Sequence, residues 1–446
     1  MEENINQDNQ QIIIWIDTNI ENQENQGYIR DLGSNNVKTF NDINSSIIFI
    51  KTLRFKETSI ILSGRLFIDF INSFKQNLKD IYIIPKIIVF TSKEKKFNQD
   101  IVNDKFYTYG GIKYTFEEIK YFLNTQHISY SALRTSFNNK LNNQNNFNPT
   151  FTIINNEKDL LLPVFYSRLI ELLETKNNDK FIQDIYVDYK NDSNYYELLN
   201  PIATIPDIPI ELLSKYYARM YAIVGNFHRK LNDDLLTDFN ENNIIYQPYI
   251  KTLYEGVKIG ALKKYIGFEL YCPKVIPEQE IKNLMNYKEK NFLRQSPIPL
   301  IFLKKFMFFT KDKNMAENIY SFGKNTMITI KNSTSRTEYD FDLSTHADME
   351  EISLNSYEKD VLFFPFSVFG IDDIRYDSVK KRYNIYLIYF GNFKGFNNGK
   401  KFDNDYFKNF LRKTGLVEKG KIDNIKINEY IGNGKKSESD SCCYIF

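Results

Sequence analysis

Short apolar runs alternate with stretches of helical periodicity in the N-terminal part of the chain. Residues 12–17 form a continuous apolar run that ends in an acid, as a buried parallel strand does. Residues 43–54 and 66–78 instead carry apolar side chains at helical spacing. Further strands are expected at 37–40, 59–63 and 86–91. The alternation predicts an α/β N-terminal domain, residues 1–135, with a doubly wound parallel sheet.

The middle of the chain is less regular. An asparagine-rich, low-complexity run covers residues 138–146, and a helix is expected over 160–173. Residues 136–204 are therefore predicted to be a linker or helical segment. Pro209 then opens a pattern in which apolar residues recur every three or four positions as far as Leu231, which predicts one strong helix. A second helix is expected over 249–262.

Composition excludes several classes of protein. The chain has 446 residues, is 42% hydrophobic and carries a formal net charge of +2, so neither a disordered chain nor a nucleic-acid partner is expected. Only three cysteines and three histidines occur, which argues against a disulfide framework and a metal site. No apolar run approaches the roughly 18 residues that a membrane-spanning helix needs.

The C-terminus matches a lipidation motif. Residues 411–446 are expected to be a flexible tail, and its last four residues, Cys443 to Phe446, fit C-a-a-X with a terminal Phe. The pattern predicts prenylation of Cys443, with Cys442 available for a second lipid. We therefore expect the protein at the cytoplasmic side of a membrane, and otherwise in the cytoplasm. The alternative is a tail that carries cysteines by chance.

Paired acids precede a second apolar run. Glu358 and Asp360 stand two apart, so on an extended strand both would project from one face. Two such carboxylates suit stabilisation of a developing sugar cation or activation of an acceptor. A solvated charge pair before a core strand is the alternative.

The surroundings of these acids resemble the arginine-type mono-ADP-ribosyltransferases of the R-S-E class. The run 357–366 is similar to the family's E-x-E segment, 306–318 to its S-T-S segment and 342–348 to the stretch between them, in the family's order. The resemblance covers about residues 205–392. It implies that residues 205–410 form an α+β ADP-ribosyltransferase-like domain, with two small sheets around a cleft for NAD as substrate. It also implies a protein acceptor with an exposed arginine.

The resemblance assigns the cofactor-binding positions. Tyr271 matches the aromatic residue before the family's phosphate-anchoring arginine, but Cys272 stands where that arginine belongs. A thiol cannot replace a guanidinium on phosphate. Phe308 falls on the leading serine of the S-T-S segment, and only Thr310 keeps a hydroxyl.

The catalytic positions are also altered. Glu358 matches the acid that prepares the acceptor, while Asp360 takes the place of the main glutamate. Aspartate is one methylene shorter, and a misplacement near 1 Å can cost on the order of 100-fold in rate. The departures together favour weakened or lost catalysis.

The N-terminal domain weakly resembles receiver domains of two-component signalling. Asp17 matches one acid of the metal-binding pair, but Ser63 stands near the position of the phospho-acceptor aspartate. A binding or regulatory module and a purely structural domain both remain open. For the whole chain three hypotheses remain: a membrane-tethered transferase with a slow site, a non-catalytic module bound by a regulatory partner, and a signalling adaptor.

Overall fold

The structure is a computed structural model of the full chain. It describes residues 12–33, 37–54, 58–91, 111–125, 150–154, 178–205, 207–223, 226–236, 246–265, 267, 269–293, 299–320, 323–331, 341–342, 345–353 and 359–393. Glu358, Cys442, Cys443 and the helix expected over 160–173 lie outside these ranges. In the described part, no helix is both long enough and apolar enough to cross a bilayer.

Five parallel strands form the N-terminal sheet. They are β1 (Ile12–Ile16), β2 (Val37–Phe40), β3 (Thr58–Ser63), β4 (Lys86–Phe90) and β5 (Ile112–Lys113), in the order β2-β1-β3-β4-β5. Every neighbouring pair is parallel, and this order is that of flavodoxin-like doubly wound sheets. The parallel sheet expected from the alternating pattern is therefore confirmed.

Helices cover both faces of this sheet. They are α1 (Gln23–Asp31), α2 (Ile43–Thr52), α3 (Phe67–Gln76) and α4 (Phe116–Thr125). Trp15 on one face packs in a cluster with residues of α1 and α4. Ile14, its neighbour along β1, faces the opposite way and packs with residues of α2 and α3. Because side chains alternate along a strand, the unbroken apolar run of β1 serves both layers.

In the described ranges, five helices follow, namely α5 (Asn178–Tyr189), α6 (Ser193–Thr204), α7 (Ile210–Ala222), α8 (Asn226–Leu236) and α9 (Gln247–Lys258). The single helix expected from Pro209 to Leu231 is wrong. Ile223 caps α7 with an extended backbone (φ −72°, ψ 119°), and a second helix starts at Asn226. Apolar periodicity continues across the break, so the pattern alone gave no sign of it. Residues 212–221 of α7 are all buried, which makes it the central helix of the layer.

One apolar core runs through this helical layer into both sheets. Its buried members come from the parallel sheet and its helices, from α7 and α9, and from strands of the second sheet, for example Ile60, Phe70, Tyr217, Leu253, Phe302 and Leu362. The helices therefore bury apolar surface on two sides, and neither sheet is an independent hydrophobic unit.

The second sheet is mixed. It contains β6 (Phe151–Ile153), β7 (Glu269–Lys274), β8 (Leu300–Leu303), β9 (Met307–Thr310), β10 (Thr326–Lys331), β12 (His346–Asp348), β13 (Asp360–Phe363), β14 (Val368–Asp377) and β15 (Arg382–Phe393) in the order β12-β13-β9-β7-β10-β15-β14-β8-β6, while β11 (Phe341–Asp342) pairs with β15. Two further helices accompany it, α10 (Glu278–Leu293) and α11 (Lys313–Tyr320). Its edge strand β6 comes from the segment expected to be a linker or helical segment.

The two small sheets expected around a cleft are joined to each other in the structure. A three-stranded part, β12-β13-β9, meets the remaining strands at β7, and the register between β9 and β7 contains one residue pair, Thr310 with Tyr271. The strands therefore form one connected sheet rather than two. We call this single-pair junction the seam.

A buried lysine holds the helical layer to the parallel sheet. Lys215 on α7 is fully buried. Its ammonium donates to three backbone carbonyls that precede β4, those of Leu78 (3.2 Å), Lys79 (2.6 Å) and Ile81. It also lies 4.3 Å from the centre of the Tyr82 ring, a cation–π distance. Burial lowers the pKa of Lys215 to about 7, while the three carbonyl acceptors favour its charged form.

A second contact joins the same turn to the mixed sheet. The Tyr82 hydroxyl donates to the Glu351 carboxylate, which also accepts from Lys263 at 2.6 Å. Arg54 lies 4.1 Å from the centre of the Tyr82 ring. Tyr82 is thus a contact point for the N-terminal domain, α7 and the segment after β12.

Replacing Lys215 by Met should lower the free energy of unfolding by about 3 kcal/mol, because buried carbonyls are left without a donor. The measurement is urea unfolding followed by circular dichroism and by fluorescence of Trp15, the only tryptophan in the chain. Because the core is shared, both signals should shift together. Lys258→Met, on the half-exposed end of α9, is the control and should change stability by less than about 0.5 kcal/mol. Equal effects of the two substitutions would contradict the role given to Lys215.

Candidate functional site

Three of the residues singled out in the sequence lie in one row across the seam. Asp360, the first residue of β13, pairs with Thr310 at the end of β9, and Thr310 pairs with Tyr271 on β7. Directly opposed residues on neighbouring strands share a face of the sheet. A carboxylate, a hydroxyl and a phenol therefore project from the same face at the point where the two parts of the sheet meet.

The shared strand face expected for Glu358 and Asp360 stays a prediction, because Glu358 lies outside the described residues. Asp360 is the first residue of β13, and Lys359 before it has a φ of 49°, in the left-handed region.

Thr310, rather than Phe308, is the residue opposite Asp360. Phe308 faces the same way because it lies two residues earlier on β9, but it pairs with Leu362 further along β13. Its ring packs against Tyr221 of α7, with centroids 5.3 Å apart. Phe308 is thus a half-buried packing residue beside the row. The Thr310 hydroxyl accepts a hydrogen bond from the backbone N–H of Asp312 at 3.1 Å.

Cys272 lies on the other face of the sheet. It follows Tyr271 directly on β7 and pairs with Ile328 of β10. Its side chain belongs to an apolar cluster with Ile281 and Leu284 of α10, and burial raises the pKa of its thiol to about 11. The position matched to the phosphate-anchoring arginine therefore does not share the face of Asp360.

Tyr271 brings further charges to the row. Its hydroxyl donates to the Glu269 carboxylate, two residues earlier on the same strand. Burial and this carboxylate raise the pKa of Tyr271. The exposed Lys313, at the start of α11, has its ammonium 5.8 Å from the centre of the Tyr271 ring. A carboxylate and a cation thus flank the phenol.

Sequence reasoning missed Lys311, which fixes the strand ends at this site. Its ammonium donates to both carboxylate oxygens of Asp348 at 2.6 Å and to Glu350 at 2.8 Å. Its backbone N–H donates to the carbonyl of Lys359 at 3.0 Å, next to Asp360. Lys311 therefore ties the end of β9 to the start of β13 and to the acids after β12. The only signal in the sequence was a cation directly after Thr310.

His346 on β12 has a structural environment. Its Nε2 lies 3.1 Å from the backbone nitrogen and 3.0 Å from the carbonyl oxygen of Tyr265. Burial lowers the pKa of His346 to about 4, which keeps the ring neutral at physiological pH. Across the described ranges, no group of three or more His, Cys, Asp or Glu side chains is arranged to hold a metal ion.

The strand ends of the parallel sheet carry the residues compared with receiver domains. Asp17, just after β1, accepts from the backbone N–H of Asn19 at 2.9 Å and from the Asn25 amide at 3.4 Å. Ser63 ends β3. The Asp17 carboxylate is thus engaged in shaping the loop into α1.

Chemically, the row combines a short acid with a hydroxyl on neighbouring strands. A carboxylate at such a position can stabilise positive charge that develops beside it, and the hydroxyl can orient a polar ligand. The row as described contains no guanidinium for a bidentate contact with phosphate.

Replacing Cys272 by Arg should destabilise the fold rather than supply an anchor. The structure places this side chain in an apolar core, where an unpaired guanidinium costs on the order of 3–5 kcal/mol. Cys272→Ser, which keeps the size without a charge, is the matched control and should cost far less. Urea unfolding of both variants checks this. An Arg variant as stable as the parent would show that the position faces solvent.

Several solved structures similar to part of this chain are bacterial ADP-ribosyltransferases. No protein-family model matches the chain, and no curated protein matches it. Among solved structures, the ADP-ribosyltransferase HopU1 of Pseudomonas syringae pv. tomato is 17% identical over 49% of this chain and 87% of its own, with a TM-score of 0.30. An ADP-ribosyltransferase from Clostridium botulinum is 11% identical over 40% of this chain and 86% of its own, with a TM-score of 0.29. Exoenzyme S from Pseudomonas aeruginosa, solved with human 14-3-3 protein beta and carba-NAD, is 11% identical over 39% of this chain and 72% of its own, with a TM-score of 0.27.

Proposed function

We propose that residues 205–410 form a mono-ADP-ribosyltransferase-like domain whose site is the row of Asp360, Thr310 and Tyr271, and that its catalysis is weak or lost. The single observation that carries this proposal is the register, which opposes Asp360 to Thr310 and Thr310 to Tyr271 on one face. The motif resemblance and the register are independent of each other, and they select the same strands.

The residues fit the sugar end of NAD. Asp360 supplies a negative charge for the positive charge that develops on ribose when nicotinamide leaves. Thr310 supplies a hydroxyl that can hold a ribose oxygen, and Tyr271 supplies an aromatic ring at the seam. Asp360 is shorter than glutamate by one methylene, so its carboxylate reaches less far from the strand.

The residues do not fit the phosphate end equally well. Cys272 is buried on the opposite face, and Lys311 is bound by Asp348 and Glu350. Lys313 is an exposed cation on the side of Tyr271 and can contribute a point charge. The Glu269 carboxylate beside the same phenol opposes anion binding. Weak retention of the dinucleotide, rather than loss of the acid, is the main reason for slow turnover.

The second candidate is a non-catalytic module on the same scaffold that binds a regulatory protein. The observation that favours it is the burial of Cys272. Because this side chain is buried, an arginine at position 272 alone would not provide an anchor for the phosphates of NAD. The first candidate instead predicts transfer to a protein with an exposed arginine, prepared by Glu358. Turnover separates the two candidates.

The test uses the full chain with labelled NAD and an arginine-containing acceptor, and it follows nicotinamide release, label transfer and NAD binding. Thr310→Val should weaken NAD binding about tenfold, because one hydrogen bond to a ribose oxygen is lost. Asp360→Ala should abolish the slow nicotinamide release while NAD binding persists, since the carboxylate acts mainly as charge develops. Thr152→Val on the distant strand β6 is the matched control.

Each outcome of this test supports one candidate or rules out the proposed site. NAD binding without turnover in the parent chain supports the non-catalytic candidate. Turnover that survives Asp360→Ala, or NAD binding that is equally affected by Thr152→Val, would remove this row from the site.

We further propose that a lipid on Cys443 holds the protein at the cytosolic face of a membrane. The support is the C-a-a-X sequence, with Cys442 as a second acceptor. Two lipid chains give stable anchoring, whereas one gives reversible binding.

In cells able to prenylate proteins, Cys443→Ser should move the chain from the membrane fraction to the soluble fraction. Each buried methylene of the lipid contributes about 0.8 kcal/mol, so loss of the prenyl group removes most of the affinity. Cys442→Ser is the matched variant and should leave partial, reversible attachment. Fractionation followed by immunoblotting measures both. Equal recovery of Cys443→Ser and the parent in the membrane fraction would rule the anchor out.

A further inference from the structure

Three lysines lie together at one end of the mixed sheet. Lys274 is the last residue of β7. It pairs with Thr326, the first residue of β10, and Lys324 lies two residues before Thr326. Lys305 lies two residues before Met307, the first residue of β9, on the other side of β7. The three lysines therefore lie at, or two residues before, the same end of three neighbouring strands.

The register places Lys274, and with it Met307 and Thr326 at the starts of β9 and β10, on the face opposite to the Asp360 row. Lys274 lies two residues from Cys272 and so shares its face. Counting from the pair of Tyr271 and Thr310 along antiparallel strands brings Met307 level with Lys274. Met307 belongs to the same apolar cluster as Cys272. This lysine group is thus on the opposite face of the sheet from the site proposed for NAD.

The lysines influence one another electrostatically. Burial and then the charge of Lys274 lower the pKa of Lys305 to about 8. Burial and then the charge of Lys274 also lower the pKa of Lys324. Two groups that respond to the same ammonium must both lie close to it.

Among the described residues, no carboxylate lies within 4.0 Å of these ammonium groups. The charges of Glu280 and Asp233 nevertheless raise the pKa of Lys305. One oxygen of Glu280 already accepts backbone N–H groups of Thr150 and Phe151, at 2.8 and 3.1 Å. Among the described residues, three cations therefore face two acids, and the cations are partly withdrawn from water.

We propose that Lys274, Lys305 and Lys324 form a binding site for a phosphate group that carries at least two negative charges. Partly desolvated like charges repel, and a multiply charged oxyanion removes this repulsion. Its several oxygens can accept charge-assisted hydrogen bonds from ammonium groups on three strands at once. A phosphate monoester or pyrophosphate has the required charge at neutral pH, whereas a single carboxylate does not.

The phosphate can belong to a soluble molecule or to a lipid headgroup. Both present the same chemistry to the three lysines. The soluble form is represented by inorganic pyrophosphate. The lipid form is represented by phosphatidylcholine vesicles that either contain or lack phosphatidylinositol bisphosphate. These experiments use the Cys443→Ser variant, so that no prenyl group contributes to binding.

The main test is thermal unfolding of the full chain in pyrophosphate, compared with sodium chloride at equal ionic strength. The midpoint should rise with pyrophosphate. Each of Lys274→Gln, Lys305→Gln and Lys324→Gln should need about tenfold more pyrophosphate for the same rise, because one charged hydrogen bond is lost. Lys282→Gln, at an exposed position on α10, is the matched control and should respond like the parent chain.

Two further results distinguish a ligand site from a structural one. Without pyrophosphate, the three variants should unfold at or above the midpoint of the parent, because a repulsion has been removed. A lower midpoint in all three would mean that the ammonium groups support the fold, and would overturn the proposal. Asp360→Ala should leave the pyrophosphate response intact, so that failure of the NAD proposal and failure of this one are distinguishable.

A pH series on the parent chain needs no substitution. The probe is sulfate, whose charge is constant over this range. The rise in the unfolding midpoint should shrink between pH 7 and pH 9, because Lys305, whose pKa is about 8, loses its proton. Cys272, with a pKa near 11, stays neutral over this range. The other charged groups that act on Lys305 or Lys274 are Glu280, Asp233 and Lys324. Burial raises the pKa of Glu280 and lowers that of Lys324. An unchanged response would exclude Lys305 from the site.

The vesicle arm decides the source of the phosphate. Binding only to vesicles with phosphatidylinositol bisphosphate, lost in the three lysine variants, supports a lipid headgroup. A pyrophosphate response without vesicle binding supports a soluble phosphate. If neither occurs, or if chloride is as effective as pyrophosphate, the proposal is wrong.

Discussion

Burial of the central helices between two sheets is the constraint on which the rest of the structure depends. Helix α7 has no exposed residue between 212 and 221, and the core that contains it reaches from β1 to β13. Apolar burial is the dominant favourable contribution to folding, so the helical layer determines where both sheets lie. Lys215 also fixes the position of α7, because its hydrogen bonds to three carbonyls depend on distance and angle more strictly than apolar contacts do.

The seam explains why polar groups gather where they do. A junction of one residue pair leaves the strand ends on either side to be stabilised by side chains. Lys311 does this with Asp348 and Glu350, and Asp312 caps α11 through backbone N–H groups at 2.9 and 3.1 Å. These contacts thus stabilise the strand ends on which Thr310 and Asp360 lie. The lysine group at the other face lies near the same strands but depends on separate side chains.

The sequence allowed four of the five strands of the parallel sheet to be predicted to within about one residue, because continuous apolar runs leave little choice of register. The two-residue strand β5 was not predicted. Three further features escaped prediction for physical reasons. β6 is a three-residue edge strand whose partner is distant in sequence, so no local pattern marks it. The end of α7 at Ile223 interrupts a periodicity that continues unbroken. In the site, a slip of two residues on β9 preserves the face, so Phe308 and Thr310 could not be told apart without the register.

The shared core has a consequence for how such a protein could have arisen. Two domains joined by an exposed linker can be exchanged between proteins, because each folds with its own core. Here a chain that lost its first 135 residues would present to water the apolar side of the helical layer that α2 and α3 now cover. Inheritance should therefore have kept the two halves together, and substitutions on either side of α7 should have been selected in compensating pairs.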